Sequence, residues 1–558
     1  MISKARSIVG ILCIRGSHAL LSSVASCRIS GLPPAKMSLS GIMTGRDISA
    51  PTENRASMTS SPPREQNNYD SFDWMRQWYP MAWVRDLPAG RPHRLELFDE
   101  AYAVVIPSET AVREHAATPL AVQDICPHRR AALSEGRCTK QGFIQCAYHG
   151  WAFDSEGICR GIPHIKGGGK SVVLEHSTVE SYPVMVSQDM VWMCPTSWST
   201  LISSNTSVPP IPPRVPEMDD PARSYTGVVR DLPLDWTLLV GNILDPDHGM
   251  FAHQMKSMDL YSASLKAKQT VNTFQEEDSG RFVLRSEVDA TFKLSEQAEE
   301  HKKSSSRAPS AVLRACSEFK PPSSIVSARR DKDGTAKFIL CFWVRPTGVG
   351  RAQFMSAAVY KKSFLKLPRW LVHLGLNNFL DQDTHLLATA QSPILQAELN
   401  AFKTGMNFTR RKFYKYVSPS EKFLSAVDKF MDATVSRMPR RYSSPELFSK
   451  DTPPREYTLD RMAQHTEVCP DSMTVYKRAK FVRNCAFAAS ALVLMLGRKS
   501  SGYLALASPA FVVPLAISMV AQSLQHKFTY QKTRAAHEAD VMNIPKLYPD
   551  ESYASLSH

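Results

Sequence analysis

Asp124-Ile-Cys126-Pro-His128-Arg and, further on, Gln145-Cys146-Ala-Tyr-His149-Gly-Trp151 are the stretches from which the rest of the chain can be read. Cys126-X-His128 and Cys146-X-X-His149 are separated by 17 residues. Two thiolates and two imidazoles in two short hairpin-like loops are the ligand set of a [2Fe–2S] cluster, with the cysteines on one iron and the histidines on the other. Neutral imidazoles raise the potential of such a cluster to roughly −150 to +300 mV, against about −400 mV for an all-cysteine plant-type cluster. A mixed zinc site uses the same atoms. Its ligands usually pair as Cys-X₂₋₄-Cys or His-X₃₋₅-His, however, and Cys-X-His is tighter than that. Pro127 stiffens the first loop, while Gly136 and Gly150 permit tight turns beside a cluster.

A cluster of this kind, a Rieske centre, moves one electron at a time and has no open coordination position. It therefore serves as a carrier or feeds a separate catalytic centre. A candidate for that centre is Asn242-Ile-Leu-Asp245-Pro-Asp-His248-Gly-Met-Phe-Ala-His253. His248 and His253 offer two imidazoles, and a carboxylate from elsewhere would complete a two-histidine, one-carboxylate face for non-haem Fe(II), with the opposite face open to O₂ and substrate. Five residues on a helix turn through about 140°, so the two rings converge only at a helix end or a kink, where Gly249 could help. Leu380-Asp381-Gln382-Asp383-Thr384-His385 follows a helix sketched by Pro368, Trp370, Leu371 and Leu374. Either aspartate could supply the carboxylate, and Asp383 is favoured. The other reading is a pair of surface acids closing a helix.

Composition sets the frame. At 558 residues the chain can hold two or three domains, and its 43% hydrophobic and 22% charged residues are ordinary for a globular protein. The net charge of +14 does not point to nucleic acid, because the basic residues form no block with aromatics between them. The 11 cysteines are scattered in a chain too large to need staples, and Cys138, Cys159, Cys194, Cys316 and Cys341 read as reduced thiols in a reducing compartment.

Residues 1–68 read as a targeting or disordered segment: between Met1 and Arg46 there are six Lys or Arg and no acid. Ile8–Ile14 is a short apolar run after a basic start, and Met37, Met43 or Met58 could equally be the true start. From 72 to 205 short β-branched and aromatic runs such as Ala101–Ile106 and Pro119–Gln123 read as an antiparallel β domain carrying the cluster loops. Gly167–Ser171 is no phosphate loop, since His164 stands where a glycine is required. The proline-rich stretch Val208–Pro216 is an extended connector. The second domain, 217–475, mixes strands (Arg281–Leu294, Ala336–Pro346, Gln353–Tyr360) with helices, and Ser295–Ser310 reads as a solvated loop. Ser418, Pro419 and Glu421 form a capping box ahead of a stripe of Phe423, Val427 and Phe430. At 481–524 two apolar segments, Asn484–Gly497 and Tyr503–Leu524, flank Arg498-Lys499, with 525–558 as a tail. The second segment spans roughly 33 Å, enough to cross a bilayer with kinks at Pro509 and Pro514; the first is short. A buried helical hairpin is the alternative. The expected fold is α+β: an antiparallel β domain, a helix-grip-like α+β domain and a two-helix membrane hairpin.

Taken together, Cys126-Pro-His128-Arg, Leu133-Ser-Glu-Gly136, Cys146-X-Tyr-His149-Gly-Trp, Asp245-X-X-His248-X₄-His253 and Leu380-Asp-Gln-Asp383 resemble a Rieske non-haem iron oxygenase of the plastid branch that includes pheophorbide a and chlorophyllide a oxygenases. The resemblance covers about residues 72–530. It implies a homotrimer in which each cluster faces a neighbour's mononuclear Fe(II), held by His248, His253 and Asp383. It also implies that Asp245 lies between His248 and the partner's His149 and carries the electron path. Electrons from a ferredoxin-type donor, O₂, a tetrapyrrole substrate and a C-terminal anchor in the plastid envelope or thylakoid, with catalytic domains in the stroma, follow from the same likeness. A plastid import-associated redox protein and an oxygenase of another hydrophobic substrate, such as a sterol, are the rival readings. One departure stands out: the branch carries Cys-X-X-Cys before its anchor, whereas this chain has Cys469-Pro-Asp-Ser472. His164 also replaces an expected glutamine.

Overall fold

Short strands alternating with turn residues build the first layer. β1 (Tyr79–Trp83), β2 (Pro92–Leu97), β3 (Glu100–Val105), β4 (Leu120–Gln123), β5 (Arg137–Cys138), β6 (Ile144–Gln145), β7 (Ala152–Phe153), β8 (Cys159–Gly161), β9 (Val184–Ser187) and β10 (Met190–Met193) form three small antiparallel sheets. Their orders are β1-β10-β9, β2-β3-β4 and β5-β6-β7-β8. The computed structural model describes residues 69–529 except 109–117, 166–176, 246–247, 249–251, 254–268, 278, 292–311, 332, 363–366, 450, 498–505 and 507. The expected targeting segment 1–68, the 167–171 and 295–310 loops, Gly249 and most of the tail 525–558 lie outside the described residues.

After α1 (Trp198–Ser203), the second layer is a seven-stranded antiparallel sheet. It consists of β11 (Arg223–Leu232), β12 (Gln269–Gln275), β13 (Phe282–Thr291), β14 (Val312–Lys320), β15 (Ser324–Arg330), β16 (Ala336–Gly348) and β17 (Arg351–Lys361), in the order β11-β17-β16-β15-β14-β13-β12. α2 (Trp236–Leu244), α3 (Arg369–Lys403) and α4 (Lys422–Thr434) pack against it. The capping box of Ser418 and Glu421 is present, in a 3₁₀ turn leading into α4, and Phe423, Val427 and Phe430 are buried as the pattern requires.

The two layers share their cores rather than meeting through a linker. Trp74 stacks edge-on against Trp236 at 5.3 Å and donates its indole N–H to the Thr434 carbonyl. Trp83 meets Trp343 edge-on and donates to the Val228 carbonyl. All described residues accordingly fall in a single unit, 66–558. Burial of large aromatics on this scale contributes roughly 1.5–3 kcal/mol for each side chain.

Two helical expectations need correction. The helix sketched before Leu380 does not end there: α3 runs for 35 residues, so Asp381 and Asp383 lie mid-helix and are buried rather than closing a helix at the surface. Toward the C-terminus, α5 (Pro470–Gly497) is twice as long as the apolar run suggested, because the more polar stretch before it, about four turns, continues the same helix. α5 is the one described helix long and apolar enough to cross a bilayer, and most of it is exposed. α6 (Pro509–Phe528) runs antiparallel to it, with Ser490 Oγ bonded to the Phe511 carbonyl and Ser518 Oγ to the Arg483 carbonyl. Pro509 takes the first helical position, where its missing N–H costs nothing, so it starts α6 instead of kinking it.

Candidate active site with two iron centres

Each cluster loop is closed by the same pair of backbone bonds. In the first, the Cys126 N–H donates to Ala131 and its carbonyl accepts from Arg130; in the second, the Cys146 N–H donates to Trp151 and its carbonyl accepts from Gly150. The residue four after each cysteine is left-handed, Arg130 at φ 62° and Gly150 at φ 72°. Asp124 pins the first loop, accepting from the Ser134 N–H and hydroxyl at 2.7 Å and from Arg94 at 3.0 Å. The result sorts the ligands by exposure. Cys126 and Cys146 are each 2% exposed and face one another, and burial together with Cys146 pushes the Cys126 thiol up to about 11. His128 and His149 lie at the surface with ring centres 4.5 Å apart, and His128 stacks flat on Trp151. Two thiols inside and two imidazoles outside fit a cluster of that ligand set, which would ionise both thiols.

Gly136 is where this geometry leaves least room: a Cβ there would meet the Gln145 carbonyl oxygen at 2.2 Å. Gly136→Ala is expected to displace the second loop at a cost of roughly 1–3 kcal/mol and to lower the cluster's EPR signal per chain. Gly161→Ala, whose Cβ meets only an ordinary contact at 4.0 Å, should leave the signal intact. Equal signals in the two variants would refute this view of the loop.

The mononuclear candidates come together where α2 ends. Asp235 caps its start, and Asp245 leaves it in extended conformation; His248 then begins a new turn, its carbonyl accepting from the Ala252 N–H at 2.7 Å, and His253 lies just past that turn, at a helix end. His248 Nδ1 lies 2.6 Å from the Asp245 carbonyl oxygen, and His253 Nδ1 lies 3.1 Å from Gln382 Oε1. Asp245 thus meets His248 through its backbone. Facing oxygen acceptors, both rings are assigned the Nδ1–H tautomer from this network, which turns both Nε2 lone pairs inward. Asp383 Oδ2 sits 3.0 Å from His253 Nε2 and 3.7 Å from His248 Nε2, and one ligand atom from each of the three residues lies within 4.8 Å of the other two. Asp383 Oδ1 is buried with no hydrogen-bond partner among the described residues. A carboxylate in that state, beside two inward lone pairs, is a donor set that fits a divalent iron.

Asp381 goes elsewhere. Two helical residues turn through about 200°, which puts its carboxylate on the opposite side of α3. There it pairs with Arg230 and Arg461, each at 2.6 Å, all three side chains fully buried. Sequence reasoning missed Gln382 and Phe379, which stacks on His253 at 3.6 Å; the one available signal was their adjacency to Asp383.

Above these residues lies a cavity of about 460 Å³. Its walls come from β11, β16 and β17 (Val228, Leu340, Phe342, Phe354, Ala358) and from α3 (Val372, Leu376, Leu380), and His248, His253 and Asp383 form its polar end. Such a pocket, apolar with a few convergent polar groups, suits a hydrophobic ligand of drug size.

Comparison with known proteins falls on the same parts of the chain. Residues 77–183 match the Rieske [2Fe-2S] domain and residues 319–400 match a pheophorbide a oxygenase domain. Similar proteins include the chloroplastic protochlorophyllide-dependent translocon component 52 of Arabidopsis thaliana, 26% identical over 75% of this chain and 77% of that protein. The chloroplastic Protein TIC 55 of Arabidopsis thaliana is 26% identical over 77% of this chain and 72% of its own length. Chloroplastic pheophorbide a oxygenase of Oryza sativa subsp. japonica is 33% identical over 41% of this chain and 44% of that protein. The first domain match contains all four cluster candidates and the second contains Asp383, and on this ground the chain is a Rieske non-haem iron oxygenase of the pheophorbide a and chlorophyllide a oxygenase-like branch.

Proposed function

We propose that the protein is a membrane-anchored plastid oxygenase that inserts oxygen from O₂ into a chlorophyll-type tetrapyrrole, with electrons from an external ferredoxin-type donor. The observation that carries this is the apolar cavity ending on His248, His253 and Asp383. The names of the similar chloroplast proteins support the substrate class and compartment. The exposed apolar faces of α5 and α6, with Phe481, Met495, Leu496 and Val520 each about 70% exposed, support anchoring in a membrane; a plastid envelope or thylakoid, with the catalytic domains on the stromal side, is the arrangement proposed. Functionally the chain divides into a cluster domain (72–205), a catalytic domain (217–475), a hairpin (481–524) and the flanking segments.

In this reading Cys126, His128, Cys146 and His149 hold the cluster, and His248, His253 and Asp383 hold iron, which when bound supplies an open face for O₂ and one-electron chemistry. The chain's own residues do the rest. The Asp245 carbonyl and Gln382 keep a proton on Nδ1 of each histidine and so fix the rings; the wall of Leu340, Phe342, Phe354 and Leu376 excludes water and seats a flat apolar ring system. Asp245 is a positioning residue, and in a homotrimer it would also face the partner's cluster. Gln382→Leu removes the acceptor from His253, and a 10–100-fold loss of iron affinity or activity is expected, with the cluster signal unchanged; wild-type affinity and activity in that variant would show that Gln382 has no such role.

The decisive assay reduces the protein anaerobically with ferredoxin, adds ¹⁸O₂ and a panel of tetrapyrroles, and reads products by mass. A labelled tetrapyrrole supports the proposal; oxidation of a sterol in its place, or of nothing, overturns it. The similarity to a protein named as a translocon component, along three quarters of the chain, favours one other reading, a redox partner of the import apparatus. That reading predicts cluster reduction by the donor without any labelled product.

A further inference from the structure

Away from the candidate iron residues, a second group of metal-binding side chains is buried where β11, α3 and the start of α5 converge. His373 on α3 and His465 are each 1% exposed, and Cys469 and Ser472 are 0% exposed. A ring nitrogen of each histidine and the Cys469 sulfur lie within 4.8 Å of one another. His465 Nδ1 lies 2.8 Å from the Val229 carbonyl oxygen and so carries its proton there, which leaves Nε2 as a lone pair. That lone pair faces His373 Nδ1 at 2.9 Å and Ser472 Oγ at 3.0 Å. Nε2 of His373 is buried beside the Gly227 carbonyl, which also accepts from Arg369 at 2.6 Å.

We infer that His373, His465 and Cys469 form a site for a borderline-soft divalent metal, zinc(II) by class, with the Ser472 hydroxyl closing its fourth side. Two nitrogens and one sulfur are the donors zinc prefers, and a closed, buried set of four is the pattern of a structural site rather than a catalytic one. Ligands about 2.0–2.1 Å from a tetrahedral ion stand about 3.3 Å apart, so the two nitrogens would separate by only a few tenths of an ångström. On binding, the Cys469 thiol loses its proton to solvent, and the ring proton of His373 moves from Nδ1 to Nε2, beside the Gly227 carbonyl. The surroundings favour this. Both rings are buried, which disfavours a charged imidazolium, and each holds a single proton in the network above, so both stand neutral, as ligands must. The neighbouring positive charges are already matched, Arg369 by Asp86 and Asp471, and Arg230 and Arg461 by Asp381. A metal here would tie α5 to α3 ten residues ahead of Asp383, which is about 15 Å along the helix.

The test uses the iron-loaded full chain expressed with zinc(II), and separately with cobalt(II) as a spectroscopic probe. Metal analysis should find about one zinc per chain beside the iron. The cobalt form should show a thiolate-to-cobalt charge-transfer band, which an ion misplaced among His248, His253 and Asp383 cannot give, since no thiolate lies in that set. Cys469→Ser should lose both the zinc and the band while keeping the cluster's EPR signal; His373→Gln should lose most of the zinc. Wild-type protein with no zinc above background, a cobalt form without the band, or a band that survives in Cys469→Ser would each overturn the site. Cobalt captured by Cys126 and Cys146 would give a band that His373→Gln leaves untouched, so should Cys469→Ser fail to fold, His373→Gln decides: a shifted or lost band with the cluster signal intact supports the site, and an unchanged band overturns it.

Discussion

Asp383→Ala is expected to fold, keep a full cluster signal, lose tight binding of mononuclear iron and stop turnover. The reason is that the three donors contribute unequally. His248 and His253 are held by the Asp245 carbonyl and Gln382, but they are neutral, and the carboxylate is the one anion among the three. Without it a dication faces two imidazoles in an apolar cavity, where an unpaired charge is worth several kcal/mol. A loss of about 4 kcal/mol corresponds to roughly 10³-fold in affinity. The measurement is iron per chain after a mild chelator, read beside the EPR intensity. Asp383→Ala that retains mononuclear iron and turns over would remove this residue from the site.

Asp381→Ala is expected to fail differently, by destabilising the whole protein. Burial pulls the Arg230 guanidinium below its ordinary value, and Asp381 offsets that by pairing with Arg230 and Arg461 at once. Removing it leaves two guanidinium groups buried without their carboxylate, at a cost of about 3–5 kcal/mol or more. Arg461 also donates to the Lys527 carbonyl at the end of α6, and the neighbouring Thr466 hydroxyl donates to Phe528, so the loss should loosen the hairpin from the catalytic domain. Thermal unfolding should fall well below wild type for Asp381→Ala and stay near it for Asp383→Ala. The reverse order would mean that the two aspartates have exchanged roles.

Why neighbouring aspartates differ so much shows where sequence reading stops. The cluster loops were legible because their geometry is local: every backbone bond that closes them runs within five residues, and the glycine, proline and ligand spacing states it. The capping box before α4 was legible for the same reason. The pair His248 and His253 could be read as a candidate, with convergence expected at a helix end or a kink; that α2 ends at Leu244, ahead of both, came from the structure. The choice between Asp381 and Asp383 could not be read, because it depends on Arg230 and Arg461, which come from β11 and from a turn 80 residues downstream. The length of α3 and α5 was hidden too. Tertiary burial carries α3 through Pro393 and polar residues that, in isolation, would mark an end. The group around Cys469 looked like a missing dithiol in the chain, since His373 joins it only through the fold.

Two centres in one chain is the claim on which the remainder rests, and counting iron against spins tests it most directly. Protein prepared anaerobically, with its cluster quantified by EPR and its iron by metal analysis, should hold about three iron atoms for each cluster, two in the cluster and one beside His248, His253 and Asp383. A ratio of two, unchanged by Asp383→Ala, would leave a cluster protein with no oxygenase centre and would contradict the account.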